Sequence, residues 1–171
     1  MKTHTICMSD RKLHVIGGEL PSIGVTAYQL AHINRYNGAA GTYPVAQHCV
    51  LASRLIEDQA HALAALLHDA PEVVYGDVLS PIKRALACPN FKALEAHYHT
   101  AVDNKYHVNT LHPKVTECDL RLLVTEAKSF GLPLEFFPDF EPYDFHVERW
   151  SPLLAERAFL RTFRRLTGGA T

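Results

Sequence analysis

The chain has 171 residues, of which 47% are hydrophobic and 20% charged, an ordinary globular composition that excludes a disordered, collagenous or coiled-coil chain. The 17 basic and 18 acidic residues give a formal net charge of −1, so no whole-molecule field would attract a nucleic-acid polymer or an anionic membrane. The length predicts a single domain over residues 1–171.

Neither a membrane span nor a signal peptide is expected, because no apolar run is long enough for either pattern. The four cysteines are scattered and form no Cys-x-x-Cys motif, which disfavours a zinc knuckle and predicts reduced thiols. We therefore expect a cytoplasmic protein, located in a bacterium or in the host cytoplasm if a phage encodes it.

The first half of the chain is predicted to hold one short hairpin followed by helices. Two β-prone runs flank a turn at Ser9-Asp10 within residues 3–16. Apolar residues recur at helical spacing from Val25 to Tyr36, and Asn37-Gly38 would end that helix. A second helix is expected to start at Pro44. A third, almost wholly apolar, covers residues 59–68.

Helices are also predicted for most of the second half, with boundaries set by Pro, Gly and Ser. They cover residues 71–76, 80–86, 90–106, 112–130 and 151–166, with Ser80 and Ser151, each followed by Pro, as the expected N-terminal caps of their helices. Residues 134–143 are rich in proline and predict an irregular segment that wraps the body. The expected fold class is all-α, with at most a short N-terminal β-hairpin.

Eleven histidines are an excess for this length and direct attention to metal or acid–base chemistry. Five apolar residues, 63–67, lead into His68-Asp69. A carboxylate at the end of a buried helix needs a partner, because an isolated buried charge is costly. A divalent cation is such a partner, with imidazole and carboxylate as its usual ligands. His48 and Asp119 on other helices would complete the set.

Each of these residues also has an ordinary structural explanation. A lone helical histidine such as His48 is commonly a core or surface residue, and Asp69 could accept a backbone donor at the helix end. Glu72 and Asp77 could be solvated surface charges. If the chain stays helical, Glu72 lies one turn after His68 and on the same side. Only the ordered set favours a metal site.

That ordered set resembles the HD-domain phosphohydrolase superfamily. The resemblance extends to Asn34-Arg35-Tyr36-Asn37-Gly38 and to residues 43–48, 65–72, 76–83 and 119–127. These segments look like the branch that contains bacterial 5′-deoxynucleotidases and small phage HD phosphohydrolases, among them dATP triphosphohydrolases. The resemblance covers about residues 25–166 and implies an HD-domain helical bundle.

Carried over position by position, the resemblance implies a site that holds one divalent ion (Co²⁺, Mn²⁺, Zn²⁺ or Mg²⁺) and a nucleotide, with further Mg²⁺ on a triphosphate. The implied metal ligands are His48, His68, Asp69 and Asp119. The implied catalytic residues are Glu72, which orients or deprotonates the attacking water, Asp77 beside that water or the sugar, and Arg35 on phosphate. The implied substrate contacts are Arg35, Tyr36 (where the nucleotidases tend to have Trp) and Lys83, which would reach a longer phosphate tail.

The resemblance thus implies a divalent-metal-dependent phosphohydrolase of deoxynucleotides. The favoured reaction releases triphosphate from a dNTP, with dATP as the leading substrate. The alternatives are a deoxynucleoside 5′-monophosphate phosphatase, a catalytically silent nucleotide-binding module and a structural metal protein. Val73 follows Glu72 where the guanosine-tetraphosphate hydrolases carry a second acid, which disfavours that branch. The extra histidines and Gly-Tyr-Pro element of cyclic-dinucleotide phosphodiesterases are also missing.

A small-molecule nucleotide and further copies of this chain are the expected partners. The helices predicted over 90–106 and 151–166 carry more aromatic residues than a small bundle need bury, and members of the resembled family associate. Those residues are Phe91, Tyr98, Phe159 and Phe163. We therefore expect a homo-oligomer, either a two-fold dimer or an assembly of dimers.

Overall fold

A short β-hairpin opens the computed structural model, which describes residues 4–169. Strand β1 (Thr5–Cys7) pairs antiparallel with β2 (Leu13–Val15). An Asp10–His14 ion pair of 3.1 Å braces the turn. The predicted hairpin is confirmed, although Thr3, at the start of the predicted run, lies outside the described residues.

Most of the rest of the described chain is helical, which confirms the all-α class. The helices are α1 (Ile23–His32), α2 (Val45–Arg54), α3 (Gln59–Leu67), α4 (Glu72–Tyr75), α5 (Ser80–Leu86), α6 (Pro89–Tyr106), α7 (Pro113–Ser129) and α8 (Pro152–Leu166). Two 3₁₀ turns cover Arg35–Gly38 and Leu134–Phe136. Among residues 4–169, no helix has both the length and the apolarity needed to cross a membrane.

Side-chain caps explain where several helices begin. Ser22, Asp58 and Ser151 each accept a hydrogen bond from the backbone N–H three residues on, a contact worth about 1 kcal/mol. The predicted cap at Ser80 is wrong: Leu79 occupies the cap position and makes no side-chain hydrogen bond. Ser80 is already inside α5.

Helix α1 ends at His32 and not at Tyr36 as the periodicity predicts. The physical reason is local backbone geometry: Ile33 and Asn34 are extended, with ψ of 122° and 133°, and Ile33 O accepts from Val45 N. Tyr36 and Asn37 then adopt left-handed conformations, with φ of 59° and 51°, so the right-handed helix does not resume. The apolar spacing continues past His32 because Tyr36 is buried by other contacts.

The main hydrophobic core lies between α1, α2, α3 and α8, and α7 packs on the opposite side of α2 and α3. Phe159 on α8 is fully buried at its centre. Tyr98 and Phe163 are also buried, so these aromatic side chains fill the core of a single chain. Phe91, the fourth predicted residue, is half-buried and its ring contacts Tyr75. The expected aromatic surface is therefore wrong for Tyr98, Phe159 and Phe163, and the oligomer prediction loses the support of these three residues.

Residues 137–150, which we call the strap, run along α7 without regular structure. Side chains of α7 hold the strap backbone: Arg121 Nε donates to Glu141 O (3.0 Å), and Thr125 Oγ1 accepts from Tyr143 N (2.8 Å). Ser129 Oγ accepts from Val147 N (3.0 Å). A spacing of four residues places these three side chains on one face of α7. The predicted wrap is therefore present, although it begins with a 3₁₀ turn and extends to residue 150.

Candidate metal centre

Three helical segments bring His48, His68 and Asp119 together. His48 Nε2 lies 2.9 Å from Asp119 Oδ1 and 3.3 Å from His68 Nε2, and His68 Nε2 lies 3.7 Å from Asp119 Oδ1. Two atoms that each lie about 2.1 Å from one ion are at most about 4.2 Å apart. All three separations meet that limit, so these atoms could share one cation.

Asp69 closes the same cluster from the end of α3. Its Oδ1 lies 3.2 Å from His68 Nε2, and its Oδ2 lies 3.8 Å from His48 Nε2. The apolar stretch over residues 63–67 is the last part of α3, and His68 continues its right-handed backbone by one residue. The four sequence-predicted ligands therefore converge. That they bind a metal ion remains a prediction.

Hydrogen bonds on the far side of each ring fix which nitrogen of each histidine faces the centre. His48 Nδ1 donates to Glu126 Oε1 (2.6 Å), and His68 Nδ1 donates to Ala65 O (2.7 Å). When neutral, both rings then carry their proton on Nδ1, so both Nε2 atoms present bare lone pairs to each other and to the Asp119 carboxylate. Such a set of acceptors requires a cation or added protons between them, and the donors fit a divalent metal.

The pKa values of the two histidines reflect this crowding of carboxylates. Burial and Arg35 oppose protonation of His48, but Glu126 and Asp119 outweigh them and raise its pKa to about 9. Burial likewise opposes protonation of His68, whereas Asp69 and Asp119 raise its pKa. With no metal bound, the centre therefore holds protons at neutral pH.

Glu126 belongs to the candidate site, and the sequence analysis assigned it no role. It is fully buried on α7, two turns after Asp119. Its carboxylate accepts 2.6 Å hydrogen bonds from Tyr36 Oη, Tyr43 Oη and His48 Nδ1. The seven-residue spacing from Asp119 was the available signal, because it places both acids on one helix face.

Arg35 links this buried carboxylate to the proposed ligands. Its Nη1 donates to Asp69 Oδ2 (3.2 Å), and its Nε lies 3.3 Å from Glu126 Oε2, without hydrogen-bond geometry. The guanidinium is buried, and the nearby acids hold its pKa above the usual range despite that burial. Arg35 is therefore a fixed positive charge beside the candidate metal centre.

A closed loop over residues 34–44 positions Arg35. Asn34 Oδ1 accepts from Tyr43 N (3.0 Å), and Arg35 N donates to Tyr43 O (2.9 Å). The left-handed Tyr36 and Asn37 form the turn within this loop, at a typical cost of about 1–3 kcal/mol each. Strain of this kind, held by bonds at both ends of a loop, is common at functional sites.

Glu72, one of the two predicted acids, begins the short helix α4, and Asp77, the other, lies two residues after its end. Glu72 is buried, and its Oε2 has no hydrogen-bond partner among the described residues. Burial and the carboxylates of Asp69 and Asp77 raise the pKa of Glu72 well above its usual value. Asp77 is half-buried, and burial raises its pKa as well. Glu72 thus has the unpaired oxygen and the raised pKa that suit proton transfer.

The two remaining predicted residues are engaged elsewhere. Lys83 Nζ binds Glu95 Oε1 at 2.6 Å and lies about 6 Å from the ring centres of Tyr75 and Phe91. Tyr36 directs its hydroxyl into the protein, where it donates to Glu126. Any contact of Tyr36 with a sugar would involve its ring and not its hydroxyl. The roles of both residues in substrate binding stay predictions.

Comparisons with known proteins give two partial matches, and no family model matches the chain. YfdR, an uncharacterized protein of Escherichia coli K12, is 37% identical over 108 residues, which make up 62% of this chain and 59% of that protein. An uncharacterized protein of Rhodobacter capsulatus is 41% identical over 90 residues, 46% of each chain. The chain thus spans less than two thirds of the length of these relatives, neither of which has an assigned activity.

Proposed function

We propose that this chain is a divalent-metal-dependent phosphohydrolase of HD-domain type that acts on a nucleotide. The observation that carries the proposal is the pair of inward-facing Nε2 atoms of His48 and His68, 3.3 Å apart and faced by two carboxylates. The buried Arg35 cation beside them suits a phosphate group. The nucleotide as substrate class follows from the family resemblance.

The chain's own residues supply the remaining requirements of phosphoryl hydrolysis. A divalent cation held by the His48, His68 and Asp119 group would supply positive charge to the phosphate and would make a nearby water more acidic. Arg35 offsets negative charge on the phosphate in the transition state. A cation held beside Glu72 would favour its ionised form, and Glu72 would then accept a proton from the attacking water through its unpaired Oε2. Burial of the site strengthens each of these electrostatic contacts.

The cations near the site favour a phosphate monoester over a triphosphate. Arg35 can pair with one phosphate group, whereas buried phosphate charge beyond that needs further cations. Lys83 is already paired with Glu95 at 2.6 Å. A deoxynucleoside monophosphate is therefore the substrate that the geometry supports best. The dNTP triphosphohydrolase remains the second candidate, because Lys83 is close enough to act electrostatically on Glu72 and Asp77 and could turn towards a longer phosphate chain.

Product analysis tests the proposal and separates the two reactions. The protein is incubated with dNMPs and dNTPs and, separately, with Mn²⁺, Co²⁺, Zn²⁺ or Mg²⁺, and the products are resolved by ion-exchange chromatography. A monophosphatase releases inorganic phosphate and deoxynucleoside from dNMPs alone. A triphosphohydrolase releases intact triphosphate from dNTPs, and Lys83→Ala would then raise its KM strongly.

Glu72→Gln is the matched control, because it keeps the side-chain shape and removes the proton acceptor. We expect this variant to bind metal and nucleotide but to lose hydrolysis. Nucleotide binding by the unaltered chain without turnover under any metal would reject the enzyme and favour the silent module. Metal binding without nucleotide binding would favour the structural metal protein.

The proposal also includes the cellular compartment and the oligomeric state of the protein. All four cysteines are free thiols, which favours a reducing, cytoplasmic compartment. A homo-oligomer stays a prediction, although the buried aromatic residues no longer support it. Light scattering at micromolar protein concentration tests this prediction: a dimer or larger mass supports it, and a monomer mass rejects it.

A further inference from the structure

A cavity lies away from the candidate metal centre, where the ends of α2 and α8 meet the start of α3. Its volume is about 580 Å³, and Ser53, Arg54, Gln59 and Arg165 are among its lining residues. Metal-site residue His68 follows the other end of α3, whose nine residues span about 13 Å. The cavity is therefore separate from the site described above, and its size suits a small metabolite.

Arginine side chains give this cavity an unbalanced positive charge. Among residues 4–169, no carboxylate oxygen lies within 4.0 Å of the guanidinium nitrogens of Arg54, Arg161 or Arg165. Arg54 instead packs over the ring of Trp150, with 5.3 Å to its centre. Partial removal from solvent lowers the pKa of Arg54, and the like charges of Arg165 and Arg161 lower it further. In the absence of an anion, Arg54 is therefore repelled by Arg165, which also lines the cavity, and by Arg161, which does not.

A buried hydroxyl provides an independent sign of a ligand. Ser53 is 1% exposed, and its Oγ has no hydrogen-bond partner among the described residues. Buried polar atoms without partners are rare in native proteins, so this hydroxyl needs an explanation. An anion in the adjoining cavity would accept its proton. Glu57 also lines the cavity and is the feature that opposes anion binding.

We propose that this cavity is a binding site for a small phosphate-bearing anion, held by Arg54 and Arg165 with Ser53 as a further donor. Guanidinium groups bind phosphate oxygens through two parallel hydrogen bonds, and paired arginines match the charge of a phosphate better than that of a single carboxylate. The proposal is independent of any activity at the metal centre.

The protein is first stripped of metal with a chelating resin, so that metal-dependent hydrolysis cannot occur. Ligand binding to the cavity is then measured by calorimetric titration. The probes are inorganic phosphate, pyrophosphate and a deoxynucleoside monophosphate. We expect saturable binding that weakens at least tenfold in Arg54→Gln and in Arg165→Gln, because each loses a charge-assisted contact. Arg164→Gln is the matched control: Arg164 is an exposed neighbour on α8 that does not line the cavity, and its loss should change affinity less than twofold.

Two further variants make the assignment specific to the cavity. Ser53→Ala should weaken binding severalfold, and Glu57→Gln should strengthen it, since a repelling charge is removed. Binding of all three probes with the same response to the variants supports a site for phosphate itself, and binding of the nucleotide alone supports a nucleotide site. No saturable binding at 10 mM ligand, or equal binding by the unaltered chain, Arg54→Gln and Arg165→Gln, would overturn the proposal.

Discussion

Replacement of Glu126 by glutamine tests whether this buried carboxylate organises the candidate metal centre. The substitution keeps the shape of the side chain but removes the charge that accepts hydrogen bonds from Tyr36, Tyr43 and His48. With the amide oxygen in the Oε1 position, the bonds from Tyr43 and His48 persist but to a neutral acceptor, and the bond from Tyr36 is lost. Hydrogen bonds to a charged group are worth about 1.5–3 kcal/mol and those to a neutral group about 0.5–1.5 kcal/mol, so one lost bond and two weakened bonds should lower the free energy of unfolding by about 3–5 kcal/mol.

Chemical denaturation measures that loss, and thermal melting provides a second reading. A change of 4 kcal/mol corresponds to a decrease of roughly 8–16 °C in Tm for a chain of this size. Metal affinity should decrease by about 10–100-fold, because the acceptor that orients the His48 ring loses its negative charge. Tyr43→Phe, which removes one donor and keeps the aromatic ring, should cost about half as much stability.

Glu117→Gln is the control for this experiment, because Glu117 is an exposed residue of the same helix. Its substitution changes the net charge equally and should alter stability by less than about 0.5 kcal/mol. If Glu126→Gln unfolds at the same denaturant concentration as Glu117→Gln and binds metal equally well, the role assigned to the buried carboxylate is wrong.

Three further predictions follow from the same geometry. Asp69→Ala should lose bound metal, whereas Glu72→Ala should keep metal and lower kcat by about 10²–10⁴-fold; elemental analysis of both purified variants decides this, and equal metal loss would make Glu72 a ligand or a fold residue. Metal affinity should increase from pH 7 to 9 and then level off, because the pKa of His48 is about 9 without metal and the bound ring must be deprotonated; a pH-independent dissociation constant in competition titrations would contradict this. Phe159→Ala should cost about 3–5 kcal/mol of unfolding free energy, since the ring is fully buried, whereas Leu153→Ala, at 54% exposure, should cost under about 1 kcal/mol; similar losses in denaturation would refute the core assignment.

Local sequence signals predicted most of the helices because their boundaries depend on nearby residues. Ser151 before Pro152 marks the start of α8, and Gly76, with φ of 76°, marks the end of α4. The end of α1 could not be predicted in this way. The apolar spacing reaches Tyr36, but that side chain is buried through a loop whose closure depends on Tyr43.

The candidate site, too, could be predicted from the sequence only in part. His48, His68, Asp69 and Asp119 form an ordered set of ligand-type side chains, which sequence alone can detect. Glu126 looks like an ordinary acid on an amphipathic helix, and its significance depends on three donors from distant parts of the chain. The ion pair of Lys83 with Glu95 could not be predicted either, because it depends on how α5 folds against α6.

The position of the strap depends mainly on side chains outside it. Its amides at Tyr143 and Val147 bind side-chain oxygens of α7, and Trp150 N binds Gln47 Oε1 (2.8 Å). The strap can therefore dock only after the helices that hold it have formed, which makes it a late element in folding. Hydrogen exchange should show protected amides at residues 143, 147 and 150. The strap amides between them have no partner on a helix among the described residues and should exchange with solvent.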